Sequence, residues 1–152
     1  MDTLTGNSIT VTYEPEDSYH GELHAVARSR RYAGYGSAWF NLETLRNFAE
    51  SIGAYPLAEV DAPHLKGGQG GTPQSFPETV TLLLRLSPIS GRVSIDLHLA
   101  VVGGQMLQAR EPDFSQETRF QFFTNYGEVE AFRRQLLKVL EGTASEARLL
   151  QR

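Results

Sequence analysis

The sequence predicts an α+β protein: an antiparallel sheet of about six strands with two amphipathic helices packed on one face. Three observations carry this. Six stretches alternate apolar and polar residues with a period of two, two stretches place apolar residues at helical spacing, and the connections between strands are mostly too short for parallel crossovers. The expected order is β-β-β-α-loop-β-β-β-α, in a single domain over residues 1–152. An open sandwich of two small sheets is the structural alternative.

SITVTYEP puts Ile9, Val11 and Tyr13 on one side and Thr10 and Thr12 on the other, a half-buried strand that ends at Pro15. After the turn PEDS, Tyr19, Leu23, Ala25 and Ala27 share one face of the next strand, and His20, Glu22, His24 and Arg28 share the other. YGSAWF is a third, aromatic-rich strand. NLETLRNFAESIG then changes period, with Leu42, Leu45, Phe48, Ala49 and Ile52 on one stripe, Asn41 as N-cap and Gly53 as the stop.

From 56 to 78 the pattern dissolves into a long glycine- and proline-rich loop. TVTLLLRLSP and GRVSIDLHLAVV follow as a hairpin turning at ISG, then an irregular stretch, GGQMLQAREPDFS, and the strand TRFQFFTN. GEVEAFRRQLLKVLEG closes the pattern as a helix. Val129, Phe132, Leu136, Val139 and Leu140 form its stripe, and Asn125 with Glu128 has capping-box spacing. Residues 143–152 are expected as a frayed tail.

Composition narrows the function. The chain has 152 residues, a net charge of −4 and no cysteine. The charge argues against nucleic-acid binding by phosphate neutralisation, and the missing thiols remove disulfides, thiol nucleophiles and thiolate metal sites. No signal-like or membrane-spanning run is visible, so the expectation is the cytoplasm of a bacterium.

HLKGGQGGTP, residues 64–73, has the composition of a phosphate-cradling loop. However, Lys66 precedes Gly67 and Gly68 instead of following them, and no helix comes after to receive an anion at its N-terminus. The favoured reading is a flexible connector, or a binding loop that orders on contact.

His20, Glu22 and His24 share one strand face, and Asp96 and His98 share another. Two ligands per strand are too few to specify a metal, so the expectation is a solvated polar row with no metal and no cofactor. Ser37, Ser94 and Thr124 lack an elbow or triad context, and Glu14 with Glu16 or Asp17 reads as a solvated turn cluster, so no enzyme activity is expected. Tyr32, Tyr35, Trp39 and Phe40 read mostly as core. Phe120 and Phe122 should face the helices, which turns Phe123 and Arg119 outward beside Leu83 and Arg85.

The layout resembles the WapI-type bacterial immunity proteins and their relatives. The resemblance runs over residues 8–142 and rests on three segments: GSAWFNLETLRNFAESI, LLLRLSPISGRVSIDLHL and TRFQFFTNYGEVEAFRRQLLKVL. It implies a non-enzymatic protein that binds and neutralises a toxin of a polymorphic or contact-dependent system. The candidate binding residues are His20, Glu22, His24, Arg85, Asp96, His98, Arg119 and Phe123, with Lys66, Gly67 and Gly68 in the loop. The alternatives are a small-molecule or metal-binding protein using His20, His24 and His98, and a homodimer joined through the sheet.

Overall fold

A computed structural model describes residues 6–69, 78–88, 91–102 and 114–152. The elements run β1 (Ser8–Pro15), β2 (His20–Arg28), β3 (Ala33–Asn41), α1 (Leu42–Ser51), β4 (His64–Gly68), β5 (Glu78–Leu86), β6 (Arg92–Val102), β7 (Phe114–Asn125), α2 (Tyr126–Glu141) and β8 (Ala147–Leu150). All eight strands join one antiparallel sheet in the order β7-β6-β5-β4-β3-β2-β1-β8. The α+β class is as expected, and the strand count of about six is too low by two, the difference between eight and six.

The two extra strands arise where the sequence predicts loop and tail. Residues 64–68, inside the expected 56–78 loop, form β4, so Lys66, Gly67 and Gly68 belong to a strand and not to a slack connector. Gly67 has a packing reason: a Cβ there would lie 2.4 Å from the Phe40 ring, which occupies the space a side chain would take. A register shift between Gly67 and Gly68 then ends the regular pairing with β5. Of the original glycine motif, residues 70–73 lie outside the described residues, as do the tip of the ISG turn at 89–90 and most of the irregular stretch at 103–113. Residues 147–150, in the expected frayed tail, pair with Ser8–Val11 of β1 as β8.

Alternation decides the inner face. Ile9, Val11, Leu23, Ala25, Val80, Leu82, Leu97 and Phe122 point inward and are buried. They share one core cluster with Leu45, Phe48 and Ile52 of the α1 segment and Phe132 and Leu136 of α2. The helices contact each other, and α2 also packs on β1, β7 and β8. Asn125 caps α2 by accepting the Glu128 N–H at 2.8 Å, and Gly142 ends it with a left-handed φ of 83°. Asn41 sits at the N-cap of α1, but its side chain makes no capping bond.

The sheet is strongly bent. β3 pairs with β2 along nine residues but meets β4 only at Trp39↔Gly68. The N-terminal half of β3 instead lies against β5, β6 and β7. Here Gly36 is essential, because a Cβ would stand 2.5 Å from the Thr79 carbonyl oxygen and 3.1 Å from the Ala100 nitrogen. The Thr79 hydroxyl donates to the Ser37 carbonyl at 2.6 Å across the same junction. At the other extreme the edges β7 and β8 come together: Thr124 Oγ1 donates to the Leu150 carbonyl at 2.6 Å, and the Arg152 N–H donates to the Phe123 carbonyl at 3.2 Å.

Candidate functional site

The bend divides the outward-facing candidates into two patches. On β5–β7, register builds three rows: Arg85–Ser94–Phe123, Leu83–Asp96–Gln121 and Thr81–His98–Arg119. Arg85, Asp96, His98, Arg119 and Phe123 therefore share a face, as the alternation predicts. Its charges are largely matched. Arg85 pairs with Asp96 at 2.5 Å, Gln121 donates to the other Asp96 oxygen at 2.8 Å, and His98 Nε2 meets Glu117 Oε1 at 2.9 Å. A shallow concavity of about 430 Å³ runs past Asp96, His98 and Arg119.

The second patch lies on β1–β3. The β1–β2 register sets Thr12 opposite His24 and Glu14 opposite Glu22. The β2–β3 register then extends these rows to Ser37 and Trp39. His24 Nε2 stands 3.4 Å from Glu14 Oε2 and 3.4 Å from Glu22 Oε1. Its Nδ1 is hydrogen-bonded to the Tyr35 hydroxyl at 2.5 Å. The other Glu22 oxygen accepts from Ser37 Oγ at 2.8 Å and from Gln69 Nε2, which also donates to Ser37 Oγ at 2.7 Å. Glu14, Glu22 and His24 thus bring three metal-competent atoms within 4.8 Å of one another. Like charges directly opposite each other on neighbouring strands are unfavourable. Among the described residues, His24 is the only ion-pair partner of either glutamate.

His20, expected beside Glu22 and His24, belongs to a different arrangement. It closes its own turn, with Nδ1 2.8 Å from Asp17 and Nε2 3.0 Å from Glu16. The Tyr19 backbone N–H holds the Asp17 carboxyl below the usual carboxylate range, helped by the His20 backbone and ring. The trio His20, His24 and His98 is not assembled: each histidine faces different carboxylates, and β3, β4 and β5 separate His24 from His98.

Sequence reasoning missed four members of the β1–β3 patch. Glu14, expected in the turn cluster, is the last outward residue of β1 before Pro15. Tyr35 and Trp39, expected with the core, are 41% and 42% exposed, and Tyr32 is exposed as well, so only Phe40 of that aromatic cluster is buried. Tyr19, expected inward beside Leu23, precedes β2 in the turn and is exposed too. Parity along β3 was the available signal: with Ala38 and Phe40 inward, Tyr35, Ser37 and Trp39 must face outward. Gln69 follows β4 and carried no signal.

No family model, curated protein or solved structure matches this chain.

Proposed function

We propose that the protein acts by binding a folded protein partner through the outer face of β1–β3, as an immunity protein that occludes a toxin domain, with no catalytic step of its own. The observation that carries this reading is the exposure of Tyr35 and Trp39 beside the Glu14–Glu22–His24 cluster. Large aromatic side chains left in water on a rigid strand are typical anchors of protein interfaces, because they bury much area for little lost side-chain entropy. Tyr35 is further fixed by its bond to His24, so little ordering is left for the partner to impose. The net charge of −4 favours approach to a basic partner. The resemblance to WapI-type immunity proteins supplies the toxin as occupant.

The test is capture from the native lysate with purified protein as bait, followed by affinity measurement on the captured domain. Recovery of the C-terminal domain of a large exported protein is expected. Trp39→Ala should weaken that complex by about 2 kcal/mol, roughly thirtyfold. Recovery of the bait alone, or a complex indifferent to Trp39→Ala, overturns the reading.

A further inference from the structure

We infer that Glu14, Glu22 and His24 form a binding site for a divalent transition-metal ion of the zinc class, with His24 Nε2, Glu22 Oε1 and Glu14 Oε2 as ligands. The geometry of His24 is the starting point. Two of the other three histidines, His20 and His98, bring Nε2 to a single carboxylate oxygen at ordinary hydrogen-bond distance, 3.0 Å from Glu16 and 2.9 Å from Glu117, while His64 bonds the Ala62 carbonyl through Nδ1. His24 Nε2 instead stands 3.4 Å from two oxygens at once and makes a hydrogen bond with neither. That separation is the edge of a coordination polyhedron: ligands about 2.0–2.2 Å from a four-coordinate zinc lie roughly 3.3–3.6 Å from one another.

The surroundings hold each ligand in place. The Tyr35 hydroxyl occupies His24 Nδ1, so Nε2 is the nitrogen presented to the carboxylates. In the metal-bound form Nδ1–H donates to that hydroxyl, the usual outer-shell arrangement of a ligating imidazole. Ser37 and Gln69 take Glu22 Oε2, which leaves Oε1 facing His24. Neither glutamate has an arginine or lysine partner among the described residues, so a cation would relieve a repulsion that the fold otherwise leaves in place. The mixed imidazole and carboxylate set suits zinc and its first-row neighbours better than magnesium, which prefers oxygen ligands and retained waters. The site is half open: the Glu22 side chain is 19% exposed, His24 27% and Glu14 76%. Three protein ligands leave a further position, on the solvent side, for water or a donor atom from another molecule.

Zinc titration of tag-free protein, followed by calorimetry, tests the assignment without any partner protein. Saturable binding of about one equivalent is expected, with magnesium not competing. His24→Gln and Glu22→Gln should each weaken binding roughly tenfold or more, and Tyr35→Phe about tenfold, as losses of a ligand or its outer-shell support do. His98→Gln removes a histidine–glutamate pair of ordinary geometry and should change nothing. Thermal unfolding of each variant establishes that it is folded. Absence of saturable binding to the wild type overturns the site, as does binding that folded His24→Gln and Glu22→Gln variants retain, or that His98→Gln abolishes equally.

Discussion

The outer patches on β5–β7 and on β1–β3 are built from the same residue types, histidine and carboxylate on alternate strand positions, yet they resolve their charges in opposite ways. On β5–β7, the carboxylates meet partners across strands: Asp96 pairs with Arg85 and accepts from Gln121, and Glu117 meets His98. On β1–β3, Glu14 faces Glu22 directly, His24 stands off from both, and Tyr35 and Trp39 remain in water beside them. The first patch is a stable solution for a solvated sheet face. The second breaks two local rules at once, placing like charges opposite each other and leaving large aromatics exposed, and such violations concentrate where a protein keeps a surface for something else.

The contrast depends on the bend that keeps the two patches on separate surfaces, and the largest expected effect comes from attacking it. Gly36→Ala forces a Cβ to within 2.5 Å of the Thr79 carbonyl oxygen and close to the Ala100 backbone. Backbone cannot swing aside as a flexible side chain can, so β3 must move away from β5 and β6. Stability should fall by about 1–3 kcal/mol, read by denaturant unfolding. A fully stable Gly36→Ala variant would show that β3 does not lie this close to the other half of the sheet.

A smaller pair of substitutions sharpens the comparison itself. Asp96→Asn removes the partner of Arg85 and should lower stability by roughly 0.2–1 kcal/mol, the usual range for an exposed ion pair. Glu22→Gln keeps an acceptor for Ser37 while removing one of two opposed negative charges. It should leave stability unchanged or raise it by a similar fraction of a kcal/mol. Opposite signs in the two patches, measured in the same denaturant, are the expected outcome. Equal losses would mean that Glu22 is as structural as Asp96.

The sequence shows one of these patches better than the other, and the reasons are physical. Alternation over eight or more residues reveals β1, β2, β5 and β6, and the inward–outward parity of TRFQFF places Arg119 and Phe123 on the face they occupy. The two helices are legible from stripes that remain buried in the fold. β4 is not legible, because its five residues include two glycines and its regularity depends on Phe40, distant in sequence, packing over Gly67. β8 is four residues long, too short for a period to emerge, and its place is set by pairing with β1 at the far end of the chain. In the candidate site, Glu22 and His24 are visible as neighbours on one strand face. Glu14 joins them only through the pairing register of the β1–β2 hairpin, a non-local fact that composition does not encode.

The smallest expected effect sits on the inner side of the same β1–β2 hairpin. The Tyr13 hydroxyl is buried, has no hydrogen-bond partner among the described residues, and lies so near Gly21 that a Cβ there would stand 2.7 Å from it. A buried hydroxyl without a partner contributes nothing to offset its lost hydration, so Tyr13→Phe should be within about 0.5 kcal/mol of wild type at neutral pH. The difference should emerge in alkali. Burial, with Asp17 adding to it, raises the Tyr13 pKa above its ordinary value of 10.0. In the window from that value up to the raised one, the folded chain keeps a proton that the unfolded chain has released, so wild-type stability falls as pH rises. The phenylalanine variant lacks this contribution. Its unfolding midpoint should therefore decline less than that of the wild type between pH of about 9 and about 11. Parallel declines would place the hydroxyl in contact with water, and the β1–β2 hairpin would then be more open than its register implies.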